Sequence, residues 1–294
     1  MSNLSTFSLP IDQLEALARK LRFRIVRTSH LSGTPHLGSC LSCLDLLVYL
    51  YWNALRIDPN NPTAELRDRF ILSKGHAAPA LFQVLAERGF FAVDDLENYG
   101  EDGSLFGEHP PTPSHLGGIE AATGSLGHGL PMALGMALAA RISSRPYRVY
   151  AVLSDGECNE GSVWEAALLA AAQKVSNLTI AIDYNKWQAT GRSNEVLGLA
   201  PLAEKWKAFG WCVTEIDGHD FGSIAQAMTA NTNDPRPKAI IANTIKGRGV
   251  SFMEDDNNWH YRIPNADEVH KAAIELGIPE SDINIAGRKP VSHG

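Results

Sequence analysis

An α/β fold, a parallel sheet with helices on both faces, follows from three features of the sequence. Between residues 147 and 245, runs of strand length alternate with helical stretches, as right-handed βαβ crossovers require. Those runs are apolar almost throughout, which marks strands buried on both sides. Each then ends in chemically useful polar residues: Asp155-Gly156-Glu157, Asp183-Tyr184-Asn185, Asp217-Gly218-His219 and Lys246-Gly247-Arg248-Gly249. In such sheets ligands bind beyond the carboxyl ends of the strands.

Taken in order, residues 1–140 read as mainly helical. IDQLEALARKLRFRIVRTSH has amphipathic spacing, with Asp12 as a plausible N-cap. LSCLDLLVYLYWNAL is apolar nearly all round and predicts a buried helix. APALFQVLAERG is a helix closed by Gly89, and LGHGLPMALGMALAAR is a small-residue helix suited to close packing. Residues 141–262 carry the sheet. Strand YRVYAVLS precedes helix SVWEAALLAAAQ, and strand NLTIAID precedes helix PLAEKWKAFG. Strand WCVTEID, helix FGSIAQAMTA and strand KAIIANTI complete it, and EVHKAAIELG allows one helix in the tail, residues 263–294.

Composition excludes some functions. The 294 residues are 44% hydrophobic and 20% charged, enough apolar material for one sizeable domain. With 33 acidic against 26 basic residues and no basic block, neither nucleic acid nor an anionic membrane is an expected partner. Four cysteines are too few for a disulfide scaffold and suit a reducing compartment. The pair Cys40 and Cys43 reads as two buried thiols opening an apolar helix. The N-terminus has no apolar signal core, and no run nears the ~18 apolar residues that would span a bilayer, so the cytoplasm is the expected location.

The carboxylate at Asp155 needs an explanation, because desolvating a charge at a strand end is costly. Asn185 follows the next strand, so parallel pairing would bring the two oxygen donors together. A carboxylate with an amide oxygen is hard-oxygen ligation, suited to Mg²⁺ or Ca²⁺, and Mg²⁺ completes its shell with phosphate oxygens and water. Gly156 would let backbone approach a phosphate, and a helix starting near Ser162 would aim its N–H dipoles there. The alternative is an Asp that merely caps the following helix.

These motifs are similar to those of the transketolase N-terminal domain. SDGECNEG followed by IDYNKWQATG resembles the thiamine diphosphate fingerprint. RDRFILSKGHAAPALF, GEHPPTPSHLGGIEAATGSLGHGL and NTIKGRGVSFMEDDNNWH resemble family segments in the same order, so the likeness runs from about residue 12 to 262. It implies the thiamine diphosphate-binding fold, with Asp155, Asn185 and the Trp187 carbonyl holding Mg²⁺ (or Ca²⁺ or Mn²⁺ in its place). His76, Gly124, Ser125, Leu126, Gly156, Glu157, Asn185 and His260 would bind thiamine diphosphate. His36, His76, His109 and His260 would line the channel and handle sugar hydroxyls, work that suits imidazole near neutral pH. Glu160 would couple cofactor sites across an interface, and His128 would offer a polar contact. His30, His115, His219, His270 and His293 are expected to be structural or on the surface. Three departures from the family pattern are Ser154 for a usual Gly, Tyr184 for Asp or Asn, and a lengthened loop, SGTPHLGSC, around His36.

In transketolases the carboxylate that activates the cofactor's aminopyrimidine comes from a second, downstream domain. This chain stops at Gly294, about thirty residues past the last motif, too short for another such domain. The resemblance therefore implies the first half of a split transketolase, moving a two-carbon ketol unit between anionic sugars. Its partner would carry the pyrimidine-binding and C-terminal domains, in an α₂β₂ assembly. Two alternatives stand beside it: the α subunit of a 2-oxo acid dehydrogenase or decarboxylase, and a non-catalytic thiamine diphosphate-binding chain.

Overall fold

A computed structural model describes residues 8–113, 115–231 and 233–285. Its sheet has five parallel strands: β1 (Arg69–Leu72), β2 (Val149–Ser154), β3 (Leu178–Tyr184), β4 (Cys212–Asp217) and β5 (Lys238–Asn243), in the order β1-β2-β3-β5-β4. Alternate residues of each strand feed two separate cores, which is why the strands read as continuously apolar. Tyr150 and Val152 join Phe70, Leu72, Ala181 and Ile240 in one. Val149, Ala151 and Leu153 join Ile71, Ile180, Ile182 and Ile241 in the other.

The first core is covered by α1 (Ile11–Ser32), α2 (Leu37–Tyr49) and α3 (Ala78–Arg88), the second by α4 (Gly129–Ile142) and α5 (Gly161–Ala172). The short α6 (Ser193–Val196) leads to α7 (Leu202–Ala208), whose Leu202 and Trp206 enter the second core. Helices α8 (Phe221–Thr229) and α9 (Ala266–Glu275) return to the first. Every residue of α2 is buried, and a π-helical turn, Leu50–Ala54, extends it. Gly89 closes α3 at φ +94°, a conformation costly for any side-chain-bearing residue. A capping box between Asn265 and Glu268 opens α9.

Two expectations need correction. Asp12 does not cap α1; Pro10 occupies that position, with no side-chain bond, and Asp12 falls in the first turn. The ring of Pro10 holds the extended φ of −65° that delivers the chain to the helix, and Asp12 still favours the N-terminal dipole. The other concerns β1, which lies in the region read as mainly helical. Four residues, RFIL, are too few for any periodicity, and only pairing with β2 makes them a strand. Because β1 ends at Leu72, the stretch Ser73-Lys74-Gly75-His76 leaves the sheet at its carboxyl edge, beside the other strand ends.

Candidate active site

A cleft of about 440 Å³ opens at that edge. His36, His76, His109 and His260, drawn from four distant segments, line it together. The His36 ring lies 5.5 Å from that of His76, 6.4 Å from His109 and 5.0 Å from His260, centroid to centroid. His36 sits just before α2 with φ +71°, an uncommon state for a residue with a side chain. Its N–H bonds the His260 carbonyl at 2.8 Å, so the lengthened loop still delivers the imidazole to the group. Burial lowers the pKa of His36 to about 4, helped by His109 and Lys246. Burial, with Lys246 and His36, lowers that of His260 to about 3, and burial with Lys74 carries His76 well below the ordinary range. These three rings are neutral at pH 7.

Two lysines to which the family likeness assigned no role stand behind the histidines. Lys246 is buried, and its ammonium reaches Asn257 Oδ1 at 2.7 Å and His260 Nδ1 at 3.1 Å. Burial and the nearby Lys74 lower its pKa to about 8, so it remains a cation at pH 7. An ammonium can only donate, so Nδ1 of His260 accepts and Nε2 keeps the proton for the cleft. Lys74 is wholly buried and pairs with the Asp183 carboxylate, also donating to Ser39 O at 3.0 Å. Burial pushes Asp183 up, but Lys74, Ser42 and Thr244 overcome this and hold it ionised, below the usual carboxylate range. The signal available was the polar residue directly after each strand; for Lys74 it was hidden with β1.

Ser154 pairs with Asp183, and this register brings Asp155 beside the Asp183–Asn185 turn. Asp155 is wholly buried; its Oδ1 accepts from Gly156 N, its Oδ2 from Lys186 N at 2.9 Å and Ser193 Oγ at 2.7 Å. The bond to Gly156 caps a 3₁₀ turn, Gly156–Asn159, so the capping alternative is met by one carboxylate oxygen alone. No ion pair joins Asp155 to a cation among the described residues, and burial raises its pKa to about 6. Asn185 gives its amide N–H groups to Ser42 and Asp183, both at 3.2 Å, which turns its oxygen the other way, toward Trp187 N. A buried carboxylate and an oriented amide oxygen fit a hard cation. Among the described residues no group of three or more His, Cys, Asp or Glu is placed to hold a metal, and this donor set does not need one.

The cleft also fits an anion-bearing ligand. Gln188 Nε2 is a buried donor without a partner, and a Cβ on Gly156 would come within 2.9 Å of the Gln188 side chain. A Cβ on Gly124 would meet His109 Cδ2 at 2.8 Å, so bare backbone faces the histidines there. Leu126, Glu160 and Trp187 line the same cleft, and Ser125 is exposed between Gly124 and Leu126. Glu157 is not brought to it. Its carboxylate is buried and accepts from Ser73 Oγ, Gly127 N and Ser154 N, tying β1, β2 and the loop before α4 together. His128 is exposed, its ring bonded to the Leu126 carbonyl at 3.1 Å.

Of the remaining histidines, His30 bonds the Pro264 carbonyl, His115 and His270 are exposed, and His219 is bonded inside the fold. His293 lies outside the described residues. Cys40 and Cys43 are buried free thiols, and burial pushes Cys43 up to about 12, which leaves it inert.

A family model described as "Transketolase, thiamine diphosphate binding domain" matches residues 13–288. The chain is 37% identical over 269 residues to a subunit of the apulose-4-phosphate transketolase of Phocaeicola vulgatus, covering 91% of this chain and 95% of that one. It is 40% identical over 243 residues to the SqwG subunit of the 6-deoxy-6-sulfo-D-fructose transketolase of a Clostridium species, covering 82% and 88%. The crystal structure of transketolase from Campylobacter jejuni superposes with a TM-score of 0.86 at 29% identity, covering 92% of this chain and 43% of that one. The chain thus spans about two fifths of that longer transketolase and nearly the whole of the two single-subunit relatives.

Proposed function

Because the chain belongs to the transketolase family, in its thiamine diphosphate-binding part, we propose that it is the diphosphate-binding subunit of a two-chain transketolase. It would move a two-carbon ketol unit from a ketose to an aldose. The observation that supports this most is that four histidines meet Gly156 and Asn185 in one cleft, with Asp155 buried between Ser154 and Gly156 at its wall. No observation favours the 2-oxo acid dehydrogenase or non-catalytic alternatives. The relatives' names, a sugar phosphate in one and a sulfo sugar in the other, support an anionic substrate.

In this reading Asp155, Asn185 and the Trp187 carbonyl would hold Mg²⁺, and Gly156, His76 and the unpartnered Gln188 amide would take the diphosphate. Thiamine diphosphate, when bound, supplies the carbon nucleophile that carries the two-carbon unit. His36 and His260 are neutral at pH 7; His36 would accept or give a proton at a sugar hydroxyl, whereas His260, its Nδ1 taken by Lys246, would only donate. Lys246 holds His260 so that its Nε2–H faces the cleft as a donor. Leu126 offers an apolar wall and His109 a further imidazole. Glu160, exposed at the rim, would meet its counterpart near a two-fold axis and couple two sites. The partner would bring the carboxylate that meets the cofactor's aminopyrimidine, in an α₂β₂ assembly. No helix among the described residues is long and apolar enough to cross a membrane, in keeping with the cytoplasmic location we propose.

Reconstitution tests this reading. Alone, with thiamine diphosphate and Mg²⁺, the chain should show no ketol transfer; titrated with a pyrimidine-domain chain encoded beside it, activity should saturate at one partner per chain. Robust activity from the purified chain alone would overturn the split reading.

A further inference from the structure

His219 lies outside the cleft, yet it holds the segment that carries Lys246. Its Nε2 lies 2.8 Å from Ile245 N and its Nδ1 2.8 Å from Asp45 Oδ2. Arg22 clamps the same Asp45 oxygen and also donates Nε–H to Arg248 O at 3.1 Å. All three side chains are buried, at 8% exposure for Arg22, 6% for His219 and 4% for Asp45. Residues 245 and 248 are therefore tied from α1, α2 and the β4–α8 turn, and Gly247 N–H adds a bond to Gly38 O at 3.0 Å. Between these ties stands Lys246, which backs His260.

We infer that His219 is a positioning residue, which, steadied by Asp45 and Arg22, sets Lys246 against His260 and thereby fixes which nitrogen of His260 carries the proton in the cleft. Donors and acceptors leave each ring one tautomer. A backbone N–H can only donate, so Nε2 of His219 is the acceptor and its proton sits on Nδ1, facing Asp45. Burial pushes the Asp45 carboxyl up, but Arg22 and His219 together hold it ionised, below its usual range. At the far end the Lys246 ammonium makes the opposite choice for His260, whose proton sits on Nε2. The two histidines are thus opposite tautomers joined through one turn. Neither Arg22, Asp45 nor His219 lines the cleft, so their effect on any ligand must pass through that turn.

The test is ¹⁵N NMR on the full chain labelled at histidine, at pH 7.5. It should show His219 protonated at Nδ1 and His260 protonated at Nε2. A His219 ring protonated at Nε2 would overturn the inference without any variant, because no bond to Ile245 could then form. His219→Gln keeps an acceptor where Nε2 was, whereas His219→Asn keeps the Asp45 contact and loses that acceptor. His260 should keep its single tautomer in the Gln variant and become a mixture in the Asn variant. In the reconstituted enzyme, His219→Asn should lower kcat/KM ~10-fold or more, the scale of a small misplacement of a reacting group, with thiamine diphosphate affinity within about twofold of wild type. A folded His219→Asn chain with wild-type His260 signals sinks the inference. The activity arm rests on the ketol-transfer reading and the NMR arm does not, so failure of one is distinguishable from failure of the other.

Discussion

The rings of His36 and His260 meet edge to face with centroids 5.0 Å apart, and the His36 N–H bonds the His260 carbonyl at 2.8 Å. One precedes α2 and the other closes the 3₁₀ turn Asn257–His260, so the contact joins the two ends of the fold directly at the cleft. Side chains held this closely cannot be replaced one at a time without consequence, and the effects should separate by role.

Asp155→Ala should abolish Mg²⁺-dependent thiamine diphosphate binding. The variant removes a buried charge that no cation pairs within the described residues, so the chain should stay folded. Calorimetric titration with the cofactor, with circular dichroism as the fold control, checks this. Unchanged affinity in a folded variant would remove Asp155 from the metal set.

His109→Ala and His260→Ala should bind the cofactor nearly normally and lose ketol transfer by roughly 10²–10⁴-fold, the usual worth of a proton-transfer or charge-stabilising group. Steady-state rates of the reconstituted enzyme decide it. Wild-type turnover from both variants would place the sugar channel elsewhere.

Acid should destabilise the chain through its neutral histidines. Unfolded imidazoles take protons at about pH 6.5, whereas His36 and His260 do so in the fold only at about 4 and about 3. Below about pH 6.5 the unfolded state therefore binds more protons, and stability falls with pH until those lower values are passed. Urea midpoints measured from pH 7 to pH 4 should decline, and less steeply in His260→Gln. Parallel slopes in the two proteins would contradict the depressed value.

Lys74→Met should cost about 3–5 kcal/mol of stability, because it strands the buried Asp183 carboxylate without its counter-charge. Both side chains are completely shielded from solvent. The double variant Lys74→Met with Asp183→Asn should recover part of the loss in urea denaturation. A single variant as stable as wild type would mean that Asp183 accepts a proton at little expense.

Much of this was legible in the sequence, and the reason is local. Short, largely apolar runs such as VYAVLS and LTIAID, alternating with helical stretches, read as strands covered on both faces, and the polar residue after each as standing at the carboxyl edge of the sheet. That logic picks out Asp155 with Gly156, and Asn185, and the motifs pick out the four histidines; the structure gathers Gly156, Asn185 and the four rings in one cleft. Other facts belong to the tertiary structure alone. Glu157 follows Gly156 in the chain and reads as a site residue, but the turn Gly156–Asn159 carries it inward to Ser73 and Gly127. RFIL became a strand only by pairing with β2, and with it Lys74 and His76 reached the cleft. Which nitrogen of His260 carries the proton depends on Lys246, and the place of Lys246 depends on His219, Asp45 and Arg22, three residues no motif connects. Sequence pattern reports which face of an element is buried and where it ends; the partner that a donor or acceptor finds across the fold is decided by packing.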